Sequence, residues 1–282
     1  MLQYFKTISN GDDFLEKKHS ALDISLCILK ALLYFGLWLL VQVIVVNFAA
    51  IVITAKYPGI NDHDLTSMIN ELSVEINIVI GALTVLILAI FAKLRRDTLS
   101  SMASINKFPS RFTFTLLIMG IATAYSITLV FGLLQKTNVF PSDWIAVQEQ
   151  TYSTINMASP FMQFLSVGFI APLVEEILFR GCILGTLKKK MHPWIAIIIS
   201  ALIFGVAHGT PIGIIYATLL GLLMGWLAVT FNSIVPTLFF HIAYNCTVAY
   251  SDGISLAIAA ISIPILVFEI LSIKNYFRGN NE

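Results

Sequence analysis

The chain has 282 residues, of which 57% are hydrophobic and only 12% are charged, and its mean hydropathy is +0.85. Soluble domains average about 45–50% apolar and about 25% charged residues, so this composition excludes an ordinary soluble protein and indicates an integral membrane protein. The formal net charge of +1 gives no sign of nucleic-acid binding, and no basic stripe is interleaved with aromatic residues. The three cysteines are dispersed, without the paired spacing of a disulfide framework or a zinc knuckle.

Apolar runs of about 20 residues predict eight transmembrane helices, because ~30 Å of hydrocarbon is crossed at 1.5 Å per residue. In chain order they cover approximately residues 31–55, 76–92, 112–134, 160–187, 193–208, 211–231, 234–251 and 254–273. We therefore predict an all-α fold, a polytopic membrane helix bundle of about eight transmembrane helices with a buried polar cavity. Residues 1–282 are expected to form a single integral membrane domain, with the residues of chemical interest at about 160–252.

Lysine and arginine predict the orientation, because cytoplasmic loops of membrane proteins are enriched in both. With the N-terminus in the cytoplasm, 14 of the 17 basic residues fall on the cytoplasmic side. Only Lys56 and Lys136 fall on the outer side, and Arg180 remains within the membrane. An even number of spans then places the C-terminus in the cytoplasm as well. Residues 1–30 are expected to be a cytoplasmic segment, since residues 1–20 lack the pattern of a signal peptide.

A polar connection at residues 138–159 is expected on the outer side. Trp144, Ile145 and Val147 could lie along the membrane interface as a short amphipathic segment, or the connection could be a solvated loop. The sequence leaves both possibilities open.

The fourth predicted span contains three ionisable residues: Glu175, Glu176 and Arg180. One such residue at the centre of a membrane helix costs roughly 2.5–3.5 kcal/mol, so three within six residues indicate a functional site. Glu176 and Arg180 are four residues apart and share a helix face, where they can form an ion pair. Glu175 is rotated by about 100° in a regular α-helix and cannot easily share that partner. One carboxylate is therefore paired, and the other is free to act as a general base.

Further polar residues are expected to complete a cluster with these glutamates. His208 ends the fifth span, and His241 and Asn245 lie four residues apart on the seventh. The remaining polar residues of the spans are expected to have structural roles, through snorkelling or interhelical hydrogen bonds: Glu269, Gln42 and Asn47.

The sequence contains no H-E-x-x-H motif, so the usual helical zinc site is absent. Two other chemical schemes fit this cluster. In the first, Glu175 activates a water, and His208, His241 and Asn245 orient that water or stabilise the oxyanion. In the second, Glu175, His208 and His241 hold a zinc ion with an open water position. A non-catalytic protein that binds a peptide in the same cavity is a third possibility. A transporter with a glutamate proton relay is disfavoured by the lack of an inverted repeat.

The polar residues of the fourth, fifth and seventh spans resemble the three motifs of the CPBP family. This family, also called Abi, contains CAAX prenyl proteases and bacteriocin-processing enzymes. The resemblance rests on Glu175-Glu176-x-x-x-Arg180, Phe204-x-x-x-His208 and His241-x-x-x-Asn245. Each motif is weak by itself, and their order, their placement on spans four, five and seven, and the total of eight spans make the set specific.

The resemblance implies a glutamate-dependent intramembrane endopeptidase. Glu175 would be the catalytic base, Glu176 and Arg180 would support it, and His208, His241 and Asn245 would bind water or the oxyanion. Members were long regarded as metalloproteases, and a metal-free mechanism is now the commoner view, so the implied cofactor is none, or zinc. The implied substrate is a membrane-associated or lipidated peptide or protein, with membrane lipid as the other partner and no nucleic acid. The alternative within the family is a bacteriocin immunity protein. The compactness of the chain resembles bacterial members, which would place it in a plasma membrane.

Overall fold

The computed structural model describes residues 20–250 and 256–279, and in these ranges it contains helices and no strand. Most of the predicted cytoplasmic segment 1–30, and the predicted junction between the last two spans at 251–254, lie outside the described residues. The all-α, polytopic helix bundle predicted from the sequence is confirmed.

Eleven helices follow one another along the described residues. They are α1 (Ala21–Lys56), α2 (Asp62–Glu71), α3 (Ser73–Leu94), α4 (Leu99–Met102), α5 (Phe112–Lys136), α6 (Ser142–Asn156), α7 (160–187), α8 (Pro193–Val206), α9 (Pro211–Phe231), α10 (Val235–Tyr250) and α11 (Leu256–Gly279). The helix α7 is continuous and alternates between two geometries. Its π-helical stretches are Phe164–Ile170 and Glu176–Leu184, and its other turns are α-helical.

Each predicted span corresponds to one of these helices. Among the described helices, α1, α3, α5, α9 and α11 are long and apolar enough to cross a bilayer. The helix α7 is interrupted by its π-helical turns, and α8 and α10 have only 14 and 16 residues. At 1.5 Å per residue these two rise about 21 and 24 Å, less than the ~30 Å of hydrocarbon. The site therefore lies in a part of the bundle where the helices are short or irregular.

Helix α1 begins ten residues before the predicted start of the first span, because Ser20 caps it. The Ser20 hydroxyl accepts a hydrogen bond from the Asp23 N–H, and the Asp23 carboxylate accepts one from the Ser20 N–H. This reciprocal pair is a capping box, which satisfies N–H groups that have no partner within the helix.

Two further helices lie in connections between spans. The loop 57–75 contains α2, which Asn61 caps by accepting a hydrogen bond from the Asp64 N–H. Of the two possibilities for residues 138–159, the helical one is observed as α6.

Helix α7 lies at the centre of the bundle, and all nine residues of its second π-helical stretch are buried. It contacts α1, α3, α8 and α10. Helix α10 in turn packs tightly on α5, where a Cβ added to Gly120 would lie 2.3 Å from the Phe240 carbonyl oxygen. Only glycine permits this approach, which fixes the position of α10 beside α7.

One end of the bundle, which we call the basic end, contains the N-terminus of α1, the segment 95–111, the C-termini of α7 and α11, and the turn between α9 and α10. Polar contacts join these segments to one another. The joining contacts are Lys190–Asp23 at 3.9 Å, Lys188–Asn232 at 3.3 Å, Asn106–Asn232 at 2.7 Å, and Arg111 over the Tyr276 ring at 3.8 Å.

The opposite end of the bundle, which we call the α6 end, contains α2, α6, the N-terminus of α7, the C-terminus of α10 and the turn between α8 and α9. Its contacts include a hydrogen bond from the Thr210 hydroxyl to Gln148 Oε1 at 2.6 Å. The Tyr250 hydroxyl donates a hydrogen bond to the Pro160 carbonyl oxygen.

Candidate active site

The two consecutive glutamates lie where α7 changes geometry. Glu175 ends the α-helical turn Ala171–Glu175, and Glu176 begins the second π-helical stretch. π-Helical turns are rare among protein helices, and those that occur are frequently found at functional sites. The Glu176 side chain is completely buried, whereas 21% of the Glu175 side chain is exposed. The two carboxylates therefore occupy different environments, as the sequence predicted.

Glu176 is paired with Arg180, in agreement with their spacing. Arg180 Nη1 lies 3.2 Å from Glu176 Oε1, and the side chain of Arg180 is 1% exposed. The alignment of this ion pair does not satisfy hydrogen-bond geometry, and Arg180 Nη2 also has no hydrogen-bond partner. The guanidinium instead packs over the ring of Phe204, with Cζ 4.1 Å from the ring centroid. A cation over an aromatic face is stabilised by the ring quadrupole.

Glu176 also contacts His241, which the sequence did not predict. His241 Nδ1 lies 2.9 Å from Glu176 Oε1, and both side chains are buried. Because a carboxylate accepts hydrogen bonds, this contact assigns a proton to Nδ1. Glu176 thereby fixes the orientation of the ring and leaves Nε2 of His241 directed at Glu175.

His241 Nε2 and Glu175 Oε2 are 3.6 Å apart. That separation exceeds the 2.7–3.2 Å of an ordinary N–H···O hydrogen bond, and a water can lie within ~2.8 Å of both atoms. Such a water would have a carboxylate on one side to take its proton and an imidazole nitrogen on the other to hold it.

His208 and Asn245 complete the predicted cluster. His208 Nδ1 lies 2.9 Å from the Phe204 carbonyl oxygen, so this nitrogen carries a proton and Nε2 is free. Asn245 donates a hydrogen bond from Nδ2 to the Val167 carbonyl oxygen at 2.8 Å, which joins α10 to the first π-helical stretch of α7. The amide retains a second N–H that this contact does not use.

Four of the six predicted residues line one cavity of about 880 Å³, namely Glu175, His208, His241 and Asn245. Glu176 and Arg180 lie behind its wall. The structure therefore brings together all the residues of the three motifs and divides them into a group that faces the cavity and a pair that supports it.

The metal-binding alternative is not matched by the positions of the side chains. Within residues 20–250 and 256–279, no three His, Cys, Asp or Glu side chains are grouped so that they could hold a metal ion. Glu175, His208 and His241 share a cavity without being grouped as the three protein ligands of a catalytic zinc site.

The cavity also has lining residues, farther from the glutamates, that the sequence did not predict. Helix α6 contributes Gln148, Thr151, Tyr152, Ile155 and Asn156, and α9 contributes Tyr216, whose ring centroid is 5.9 Å from that of His208. Gln148 is only 4% exposed although it lies on a largely exposed helix. No local signal marks these residues, because an amide or a tyrosine on an amphipathic helix resembles an ordinary interfacial side chain.

Comparison with known proteins supports the resemblance. The family model described as "Type II CAAX prenyl endopeptidase Rce1-like" matches residues 157–247, which cover α7 to α10 and contain all six predicted residues. The Bacillus subtilis (strain 168) protein named "Putative membrane peptidase YdiL" is 30% identical over 96 residues. This alignment covers 34% of the chain and 39% of that protein, so the chain spans about two fifths of this relative's length. No solved structure matches the chain.

Proposed function

We propose that the chain is an intramembrane endopeptidase of the CPBP family, because residues 157–247 match the type II CAAX prenyl endopeptidase Rce1-like family model and contain all three motifs. It hydrolyses a peptide bond of a membrane-associated or lipidated peptide or protein with a water activated by Glu175. The observation that carries this proposal is the 3.6 Å separation of Glu175 Oε2 and His241 Nε2 at the wall of a cavity large enough for a peptide segment.

In the first step, Glu175 removes a proton from the water while the water oxygen attacks the carbonyl carbon of the scissile bond. The charge that develops on the carbonyl oxygen needs hydrogen-bond donors within a pocket that excludes bulk water. The free N–H of Asn245 supplies one. Nε2 of His241 lies on the other side of the water from Glu175 Oε2 and holds the water in place.

In the second step, the proton held by Glu175 passes to the leaving nitrogen, and the C–N bond breaks. The products are a carboxylic acid and an amine, and Glu175 returns to its carboxylate form. His208 offers Nε2 as an acceptor to the water, because its Nδ1–H is directed at Phe204. His208 therefore orients the nucleophile in its neutral form.

Glu176 and Arg180 serve as positioning residues. Their ion pair places a fixed negative charge next to His241 and compensates it with a buried cation. Without Glu176, the His241 ring could adopt the other tautomer or rotate away from Glu175. This arrangement parallels the general use of a carboxylate to orient a catalytic imidazole.

The test compares Glu175→Gln with Glu71→Gln, a matched change at an exposed carboxylate on α2. The purified proteins are incubated with a mixed peptide library in lipid vesicles, and new peptide termini are counted by mass spectrometry. We expect Glu175→Gln to abolish cleavage and Glu71→Gln to retain it, since the amide preserves shape and cannot accept the proton. Full cleavage by Glu175→Gln would refute the assignment of the base. Peptide binding without cleavage by the unsubstituted chain would favour an immunity or peptide-binding protein.

A further inference from the structure

The cavity extends from the catalytic cluster in one direction only. Its lining residues on α7 are Pro160, Gln163, Val167, Ala171 and Glu175, which follow each other every three or four residues from the N-terminus of the helix. They form one stripe that ends at Glu175, and the cavity lining includes no residue of α7 beyond it. The cavity therefore runs from Glu175 along α7 to the α6 end of the bundle.

The cavity-lining residues of α10 independently indicate that the cavity extends towards the α6 end. They begin at His241 and continue to Tyr250 at the described end of the helix, which lies at the α6 end. The turn between α8 and α9 contributes Thr210, whose hydroxyl donates to Gln148 of α6. The lining residues on α7, on α10 and in the turn between α8 and α9 thus all lead to the α6 end of the bundle. The cavity opens at this end, and α6 lies across the opening.

The charges at the two ends are strongly unequal among the described residues. The segments gathered at the basic end contribute ten lysines and arginines beyond helix α1: Lys93, Arg95, Arg96, Lys107, Arg111, Lys188, Lys189, Lys190, Lys274 and Arg278. The α6 end has only Lys56 and Lys136, and its helices α2 and α6 carry five acidic residues: Asp62, Asp64, Glu71, Asp143 and Glu149. Short basic loops remain in the cytoplasm during membrane insertion, so the basic end is the cytoplasmic one.

From these two observations we infer that the peptide reaches Glu175 from the extracytoplasmic side, beneath α6. This inference rests on the proposed function and defines its substrate class as a peptide segment displayed on the outer face of the membrane. A secreted peptide at the membrane surface, or the outer juxtamembrane segment of a membrane protein, presents such a segment. A lipidated C-terminus in the cytoplasm would instead meet the basic end, where α7 is buried on all sides from Glu176 to Leu184.

Three single cysteine substitutions test the direction of access. Ala171→Cys lies within the cavity one helical turn from Glu175, Thr151→Cys lies at its opening on α6, and Ser110→Cys lies exposed at the basic end. A membrane-impermeant maleimide is applied to intact cells and to inverted vesicles. The unsubstituted chain, in which Cys27 and Cys182 are buried and Cys246 is partly exposed, sets the background on each side.

We expect Thr151→Cys and Ala171→Cys to be labelled in intact cells and to lose that labelling in inverted vesicles, with Ser110→Cys showing the reverse. Labelling of Ala171→Cys from the same side as Ser110→Cys would overturn the direction of the cavity. Labelling of Thr151→Cys only in inverted vesicles would overturn the orientation.

Cleavage then tests the substrate class separately. A randomised peptide segment is fused to a single-span anchor so that it lies on the outer or the inner side, and both fusions are expressed with the unsubstituted chain or with Glu175→Gln. The outer fusion should be cleaved only by the unsubstituted chain. Cleavage of the inner fusion alone would refute the inference and leave the proposed protease intact. Cleavage of neither, with Ala171→Cys labelled from outside, would refute the protease and uphold the direction of access.

Discussion

Replacing Arg180 by leucine should destabilise the protein strongly, because it removes the main compensation for a buried carboxylate. The Glu176 side chain is 0% exposed and that of Arg180 is 1% exposed. Removing one partner of a buried ion pair costs roughly 3–5 kcal/mol, since the remaining charge loses its counter-ion. Loss of the guanidinium from the Phe204 ring adds about 0.5–2 kcal/mol. Together these two contributions give an expected loss of at least about 3.5 kcal/mol.

The double variant Glu176→Gln/Arg180→Leu removes both charges and should recover most of that stability, because an uncharged pair of similar volume avoids the desolvation penalty. The fraction of monodisperse protein in detergent is measured after heating to a series of temperatures. Arg278→Leu, at an exposed position on α11, is the matched control and should behave like the unsubstituted chain. The reasoning is refuted if Arg180→Leu is as stable as the control, or if the double variant is no more stable than Arg180→Leu.

Two further predictions concern the packing of α10 and the role of metal ions. Gly120→Ala should lower stability and cleavage together, because its Cβ would lie 2.3 Å from the Phe240 carbonyl oxygen on the helix that carries His241. Gly132→Ala, also on α5, would place its Cβ where no atom lies within 4 Å, and this variant should be neutral or slightly stabilising. Equal melting temperatures for the two variants would contradict this prediction. Dialysis against a strong chelator should leave peptide cleavage unchanged, because no three His, Cys, Asp or Glu side chains among the described residues are grouped as metal ligands. Loss of activity on chelation, restored by added zinc, would show that the side chains rearrange around a metal.

The positions of the helices could be predicted from the sequence because they depend on local composition. Apolar runs located the eight spans, and the capping box at Ser20 and Asp23 is a local signal that could have extended the first one. Helix α6 remained ambiguous, because an amphipathic segment with Trp144 and Val147 is equally compatible with a surface helix and a loop.

The site was only partly predictable, because its central contacts join distant parts of the chain. The spacing of Glu176 and Arg180 was sufficient to predict their ion pair. The position of His241 between the two glutamates was not accessible in this way, since it depends on the packing of α10 on α7 across 65 residues of sequence. The π-helical geometry of α7 was also missed, so the 100° rotation assumed between Glu175 and Glu176 applies to a regular α-helix and not to this one.

The shortness of α8 has a consequence for the surrounding lipid. Its 14 residues rise about 21 Å, roughly 9 Å less than the hydrocarbon layer they are expected to cross. Its large outward side chains are exposed along the whole helix: Trp194, Ile195, Ile198, Leu202 and Val206. We expect acyl chains in contact with this face to shorten or tilt to match it, so that the bilayer is locally thinner beside the cavity. We also expect this hydrophobic mismatch to make the proposed cleavage sensitive to acyl-chain length, because it reduces the depth of hydrocarbon that an incoming peptide backbone must displace.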